Sequence, residues 1–286
     1  MKNIFMPQIY VVNAKGEKEP LSFKKIYRSA RKVGAPEPLA QEIARNIKRE
    51  AFPGIRTSDI FKRVKQLLSE KVPSAALRFD LKEGMRKLGP TGFPFEKYIG
   101  AILSRNNFKV HLNQSISGKC ADYEIDFLAK KDKTLYIGEC KYHNLAGGRV
   151  DLRVALEDYA RFLDLRESSF FKSQRLKNIQ LRSLLVTNTK FTSQVIRYCQ
   201  CVGIEILGWD WPKNRGLEYL IDSQKLYPIT ILPSLKGYLA ETFVSQGIML
   251  AQDVLKIDKL SFSKENKIPV FHLDPLIKEA KLLLGS

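Results

Sequence analysis

Apolar residues fall at helical spacing along the first third of the chain and change to strand alternation from about residue 108. "QIYVVNA" (8–14) reads as a short strand followed by a "KGEK" turn. Ser22 is a good N-cap for the helix "FKKIYRSARKVG", which stops at Gly34. Pro36 and Pro38 open a second helix, "PLAQEIARNIKREAF", ended by "PG"; Thr57 or Ser58 caps a third, "DIFKRVKQLLSEK". After Pro73, "SAALRFDLKEGMRKLG" predicts a fourth helix, and "GPTG" (89–92) predicts a linker.

The middle of the chain reads differently. "FEKYIGAILSRNN" is an amphipathic helix with Phe95, Tyr98, Ile99 and Ile102 on one face. "FKVHLNQ", "YEIDFLAK" and "TLYIGECKY" follow as three strands, then a polar, glycine-containing stretch, "HNLAGGRVD". "LRVALEDYARFLDL" is helical, "SLLVTNT" a buried strand, "SQVIRYCQCVG" a helix and "IEILGWD" a strand. This order predicts an α/β domain with a central mixed sheet. From about residue 212 the pattern weakens to short helices, with "DPLIKEAKLLLGS" as the last. The expected division is a mainly helical domain over 1–89, the α/β domain over 90–211 and a small helical region over 212–286.

Charge narrows the class of partner. The 286 residues carry a formal net charge of +18, and residues 1–90 hold 20 basic against 9 acidic side chains. Such an excess favours an anionic partner such as nucleic acid, nucleotide or a membrane surface. None of Cys120, Cys140, Cys199 and Cys201 forms a C-x-x-C pair, so a structural zinc site is not expected. No secretory signal opens the sequence and no apolar run spans a bilayer, which predicts a cytoplasmic protein with no membrane partner.

The chemistry concentrates in "ADYEIDFLAKKDKTLYIGECKYHN", 121–144. Asp126 lies in one strand, and Glu139 and Lys141 lie on one face of the next. A turn near Lys130–Lys133 sets the two acids side by side. Two carboxylates ~4 Å apart repel by about 4 kcal/mol at an effective dielectric of ~20. A hard divalent cation offsets that repulsion, and oxygen donors suit Mg²⁺ or Mn²⁺ rather than zinc. The fitting reaction is metal-assisted phosphodiester hydrolysis, with Lys141 orienting the attacking water or neutralising developing charge. Glu96, on the preceding helix, is an additional candidate ligand or partner of the water. A surface hairpin with solvated charges is the competing reading, and "LYIGEC" is too apolar for it. Asp122, Glu124 and His143 are lesser candidates, better read as surface groups, and His272 has no visible partner.

These residues resemble the PD-(D/E)xK nuclease core, and within it the Mrr-like branch of the restriction endonuclease superfamily. "EID" is followed, thirteen residues after its Asp, by the "ECK" that carries Glu139 and Lys141. "GFPFEKYIGAILSRNNFKV" resembles the opening helix of that branch, and "LLVTNTKFTSQVIRYCQCVGIEIL" its closing strand, helix and strand. The resemblance spans roughly 90–210 and implies a restriction-endonuclease-like fold. It implies metal binding by Asp126, Glu139 and the backbone carbonyl of Cys140, and a catalytic role for Lys141. It further implies DNA as substrate, in restriction, defence or repair, and a homodimer if both strands are cut. Many Mrr-like proteins carry Gln where this chain has Glu139.

"VVNAKGEKEPLSFKKIYRSARKVG" with "GIRTSDIFKRVKQLLSE" resembles the ATP-cone, a regulatory nucleotide-binding domain. Gly16, Pro20 and Lys25 match its signature, while its basic pair falls on Asn13 and Ala14. The resemblance implies ATP or dATP as an effector, with Lys25 and Lys15 as the remaining candidate contacts. "ITILPSLKGYLAETFVSQGIMLAQDVLK" is weakly similar to a helix-hairpin-helix, with Ser234 and Lys236 as its DNA contacts. The function these features predict is a metal-dependent DNA endonuclease regulated by nucleotide. The rival is a non-cleaving, nucleotide-responsive DNA-binding regulator. RNA is the less favoured substrate because no aromatic-rich RNA motif is present.

Overall fold

The computed structural model describes residues 9–89, 92–175 and 178–285. The chain forms two compact units, one of Met1–Lys82 with Ile277–Ser286, the other of Glu83–Leu276. The second unit holds both the α/β part and the segment after residue 211 as far as Leu276.

The first unit begins with β1 (Tyr10–Val12) and β2 (Lys18–Pro20), an antiparallel pair in the register Tyr10↔Pro20. Ser22 caps α1 (Phe23–Lys32), its hydroxyl accepting from the Lys25 amide. α2 (Glu37–Glu50) follows with proline in its first turn, and β3 (Ile55–Arg56) joins β1 in parallel. β2 and β3 were not expected; at three and two residues they are too short to show alternation.

α3 (Thr57–Lys71) starts earlier than expected. Arg56 occupies the cap without a side-chain hydrogen bond, so Thr57 and Ser58 lie inside the first turn and cap nothing. The expected fourth helix is two: α4 (Pro73–Phe79) and α5 (Leu81–Arg86), broken at Asp80. Asp80 has ψ near 2°, and its carboxylate is paired with Lys65. Val11, Ile26, Ala30, Ile43, Ile47, Val64 and Leu68 form the core of this unit.

In the second unit, α6 (Phe93–Arg105) leads into β4 (Lys109–Ser117), β5 (Asp122–Lys131) and β6 (Thr134–Lys141). β7 (Arg149–Val150), α7 (Leu152–Arg166) and α8 (Ser169–Arg175) precede β8 (Gln180–Thr187). β9 (Lys190–Phe191), α9 (Ser193–Val202) and β10 (Glu205–Leu207) complete the layer. The five-stranded sheet has the order β10-β8-β6-β5-β4. β4, β5 and β6 run antiparallel, and β6, β8 and β10 run parallel, which is the mixed α/β architecture expected. β7 and β9 form a separate two-stranded parallel ladder that the glycine-containing loop sequence did not announce.

α6 lies against β4 and β5, α7 against β8, and α9 against α7 and β10. Gly100 lets α6 approach closely, since a Cβ there would stand 2.9 Å from a Leu112 methyl. After β10 come α10 (Leu217–Gln224), a 3₁₀ turn at Ile229–Ile231 and α11 (Tyr238–Ser245). A second 3₁₀ turn at Ala251–Lys256, α12 (Lys259–Asn266) and α13 (Val270–Leu284) end the described chain. α13 begins before the expected Asp274–Pro275 start and carries Pro275 within it. The Tyr98 hydroxyl on α6 donates to the Leu226 carbonyl at 2.8 Å, tying the segment after α10 to the sheet layer.

Candidate metal and catalytic site

The β5–β6 ladder ends at the pair Phe127↔Gly138, and the next step of that register sets Asp126 against Glu139. Gly138 is required at this point, because a Cβ on it would lie 2.0 Å from the buried Phe127 ring. Beyond the ladder a side chain takes over the backbone's role. The Cys140 amide donates to Asp126 Oδ2 at 2.6 Å. Asp126 is thus fixed to the strand that carries Glu139 and Lys141.

Glu139 Oε2 accepts from Arg161 Nη1 at 2.5 Å, with the two side chains only 15% and 22% exposed. Arg161 comes from α7, one turn after Asp158. Asp158 is 5% exposed and accepts from the Ser183 hydroxyl at 2.6 Å. Lys141 pairs with Thr187 across β6–β8, and the buried Thr187 hydroxyl donates to the Lys141 carbonyl at 2.7 Å. Just past that pair the His143 amide donates to Asn188 Oδ1 at 2.9 Å, and Asn188 Nδ2 donates to the His143 carbonyl at 2.8 Å. This reciprocal clip prolongs the β6–β8 pairing past the strand ends.

Electrostatics identify one cluster. Burial, then the charge of Glu139, raises Asp126 from an ordinary 3.8 to about 7, with Glu96 adding to the rise; the Cys140 amide and Arg161 oppose it. Glu96, in the first turn of α6, is raised by its own burial and by Glu139. Asp158 is lifted to about 6 by burial, with Glu139 contributing, against the Ser183 hydrogen bond and Arg161. Burial by itself would lower Arg161, yet Glu139, Asp158 and Asp126 together hold it above its ordinary value. Burial lowers His143, against a hydrogen bond to the Lys141 backbone that raises it.

The structure therefore brings Asp126, Glu139 and Glu96 into mutual influence and puts Lys141 two residues beyond Glu139 on the same strand. Among the described residues no three His, Cys, Asp or Glu side chains are grouped as a metal cage. The oxygen donors at hand are the Asp126 and Glu139 carboxylates, set against each other at the end of the ladder. That is a hard, anionic set, and it fits Mg²⁺ or Mn²⁺ in character. Cys140 itself keeps a buried thiol, pushed well above its ordinary value by burial and the three acids.

Arg161, Asp158, Thr187 and Asn188 escaped the sequence reading. One signal was available: Asp158 occupies the apolar stripe of its helix, in step with Ala155, Phe162 and Leu165. A carboxylate at a core position needs a partner or a purpose.

Elsewhere the candidates are more dispersed. Asn13 binds its own turn, its Oδ1 accepting from the Lys15 and Glu17 amides and its Nδ2 donating to Glu17 and Glu19. Lys25 is 78% exposed and lies 3.8 Å from Glu19. Lys236 is exposed before Gly237, which has φ of +50°, and the stretch upstream is a three-residue 3₁₀ turn rather than an α-helix. His272 does have partners: its Nδ1 is 2.6 Å from the Tyr238 hydroxyl, and its ring meets Phe271 edge-on. No helix among the described residues is long and apolar enough to cross a membrane.

The family model AF1548-like, C-terminal, matches residues 227–284. An uncharacterized protein of Archaeoglobus fulgidus is 34% identical over 184 residues, covering 64% of this chain and 98% of that protein. The crystal structure of AF1548, a protein of unknown function, aligns with a TM-score of 0.58 and 30% identity over 68% of this chain and 100% of that one. Protein VC1899 from Vibrio cholerae aligns at a TM-score of 0.31 and 15% identity, over 71% of this chain and 54% of that one, too distant to bear on the fold.

Proposed function

The chain belongs to the AF1548-like family, and we propose that it is a divalent-metal-dependent deoxyribonuclease with a restriction-endonuclease-like core. The observation that carries this reading is the facing of Asp126 and Glu139 at the end of β5–β6, with Lys141 following on the same strand. A binding surface has no need of part-buried carboxylates set side by side, one raised by the charge of the other, whereas phosphodiester hydrolysis has a use for each.

In this reading Asp126, Glu139 and the Cys140 carbonyl hold Mg²⁺ or Mn²⁺. Such an ion, when bound, polarises the scissile phosphate and acidifies a water. The chain's own groups do the rest. Lys141 directs an ammonium at the phosphate, orienting the nucleophile and offsetting developing negative charge. Glu96, kept more basic than an ordinary carboxylate by burial and Glu139, accepts a hydrogen bond from that water. Thr187 and Asn188 fix the end of β6, so that Lys141 keeps its aim. The basic excess supplies the phosphate-binding surface for DNA. The first unit, similar to an ATP-cone, takes ATP or dATP as an effector through Lys15 and Lys25. A second copy of the chain completes double-strand cleavage.

The test is conversion of supercoiled plasmid to nicked circles in Mg²⁺, with EDTA and Lys141→Ala as controls. Asp126→Asn and Glu139→Gln should abolish nicking as EDTA does. One observation favours the non-cleaving regulator instead, namely the Arg161 guanidinium already resting on Glu139. DNA binding with no Mg²⁺-dependent nicking would decide for that second reading.

A further inference from the structure

The Arg161–Glu139 ion pair has no place in the hydrolytic scheme just given, although it is the closest charge contact that Glu139 makes among the described residues. From it we infer that Arg161 is the site's built-in counter-cation, and that a divalent metal enters by displacing this guanidinium from Glu139 toward Asp158. The inference rests on the metal-site reading of Asp126 and Glu139.

The contact is not a loose surface pair. Nη1 lies 2.5 Å from Oε2, and both side chains are largely withdrawn from water. A charge-assisted bond in such surroundings is strong while made, and breaking it leaves a part-buried carboxylate without its counter-charge. Glu139 therefore stays on Arg161 until another cation takes its place.

The carboxylate a metal would need is already in use. Asp126 is set against Glu139 across the strand pair, and Glu139 is engaged by the guanidinium through Oε2. Two cations on one carboxylate repel, so metal and Arg161 weaken each other's hold on Glu139. The crowding of acids points the same way. Glu96, Asp126 and Asp158 each feel the charge of Glu139, and a divalent ion added while Arg161 is retained, with Lys141 on the same strand, offsets that repulsion.

Retention requires a second seat, and α7 provides one. Asp158 precedes Arg161 by three positions on the same helix, the spacing at which side chains meet. Its carboxylate is buried and, among the described residues, bonds to the Ser183 hydroxyl alone, which leaves acceptor capacity for a guanidinium. The helix need not move; a change of Arg161 rotamer is enough. Asp158 is in this account a positioning residue that receives Arg161, and not a metal ligand.

The test uses the full chain and the metal alone. Calorimetric titration with Mn²⁺ compares wild type, Arg161→Gln and Asp126→Asn. Removing the competitor should tighten Mn²⁺ binding by ~10-fold or more, the size of an ordinary coupling between competing ligands, and Asp126→Asn should lose binding. Because Arg161→Gln strips a buried counter-charge and can unfold, a second measurement is made on wild type. In protein labelled with ¹⁵N-arginine, the Arg161 Nε–Hε signal, assigned with Arg161→Lys, should shift as Mg²⁺ saturates the site. Metal uptake by wild type with that signal unmoved, or Arg161→Gln binding no tighter than wild type, overturns the exchange and leaves the metal site standing. Failure of wild type and Arg161→Gln alike to take up Mn²⁺ overturns the metal-site reading, and the exchange with it.

Discussion

At the scale of single residues, the most informative side chain outside the Asp126, Glu139 and Lys141 set is Asp158. Its carboxyl titrates near 6 in the folded protein against an ordinary 3.8, chiefly because it is buried. Between those values the folded state binds more protons than the unfolded state, so stability falls as pH rises through the window, and the loss is complete above about 6. In metal-free protein, urea unfolding should show wild type losing up to about 3 kcal/mol relative to Asp158→Asn between about pH 4 and pH 7. A pH-independent difference between the two would mean that the carboxyl is not raised. Gly138→Ala tests the packing beneath the site. The new methyl group meets the Phe127 ring, and the expected cost is about 1–3 kcal/mol in urea unfolding, with metal uptake weakened as the strands part. Asp126, Glu139 and Lys141 were legible in the sequence because charges interrupt an otherwise apolar strand. Arg161 and Asp158 were not read, because a charged residue on a helix is ordinarily solvated, and only spacing against Ala155, Phe162 and Leu165 separates the exception.

At the scale of elements, the long and strongly patterned pieces were legible: α1, α2, α6, the β4–β5–β6 meander, β8 and α9 all lie where periodicity put them. What escaped is short or set by contacts distant in sequence. β2, β3, β7 and β9 are two or three residues each and depend on a partner strand rather than on their own pattern. The break between α4 and α5 depends on Asp80, whose partner Lys65 lies a helix away. The clip between β6 and β8 is of the same kind, since nothing local in "HN" or "TNT" announces that Asn188 will bond both backbone groups of His143. Asn188→Ala removes both bonds. It should cost about 1–2 kcal/mol and speed hydrogen exchange at the His143 amide while the β5–β6 amides keep their protection. Unchanged exchange at His143 would mean that the clip does not hold the strand end.

At the scale of the molecule, the +18 charge makes a prediction that needs no knowledge of the site. DNA affinity should fall steeply as salt rises from about 50 to about 200 mM, linearly in log–log form, as counterion release requires. Equal affinity at both ends of that range would remove phosphate contact from the account. Calorimetry with ATP and dATP asks whether the first unit keeps a nucleotide site although Asn13 is committed to its own turn; heat that Lys25→Ala abolishes would place the effector there. The discontinuity of that first unit has a further consequence. Its opening stretch and Ile277–Ser286 are separated by the 194 residues of Glu83–Leu276. A ribosome adding 5–20 residues each second takes ~10–40 s over that interval. The apolar core of that unit, drawn from Val11 to Ala76, is synthesised early, whereas Ile277–Ser286 joins it only after the whole of the second unit has been made.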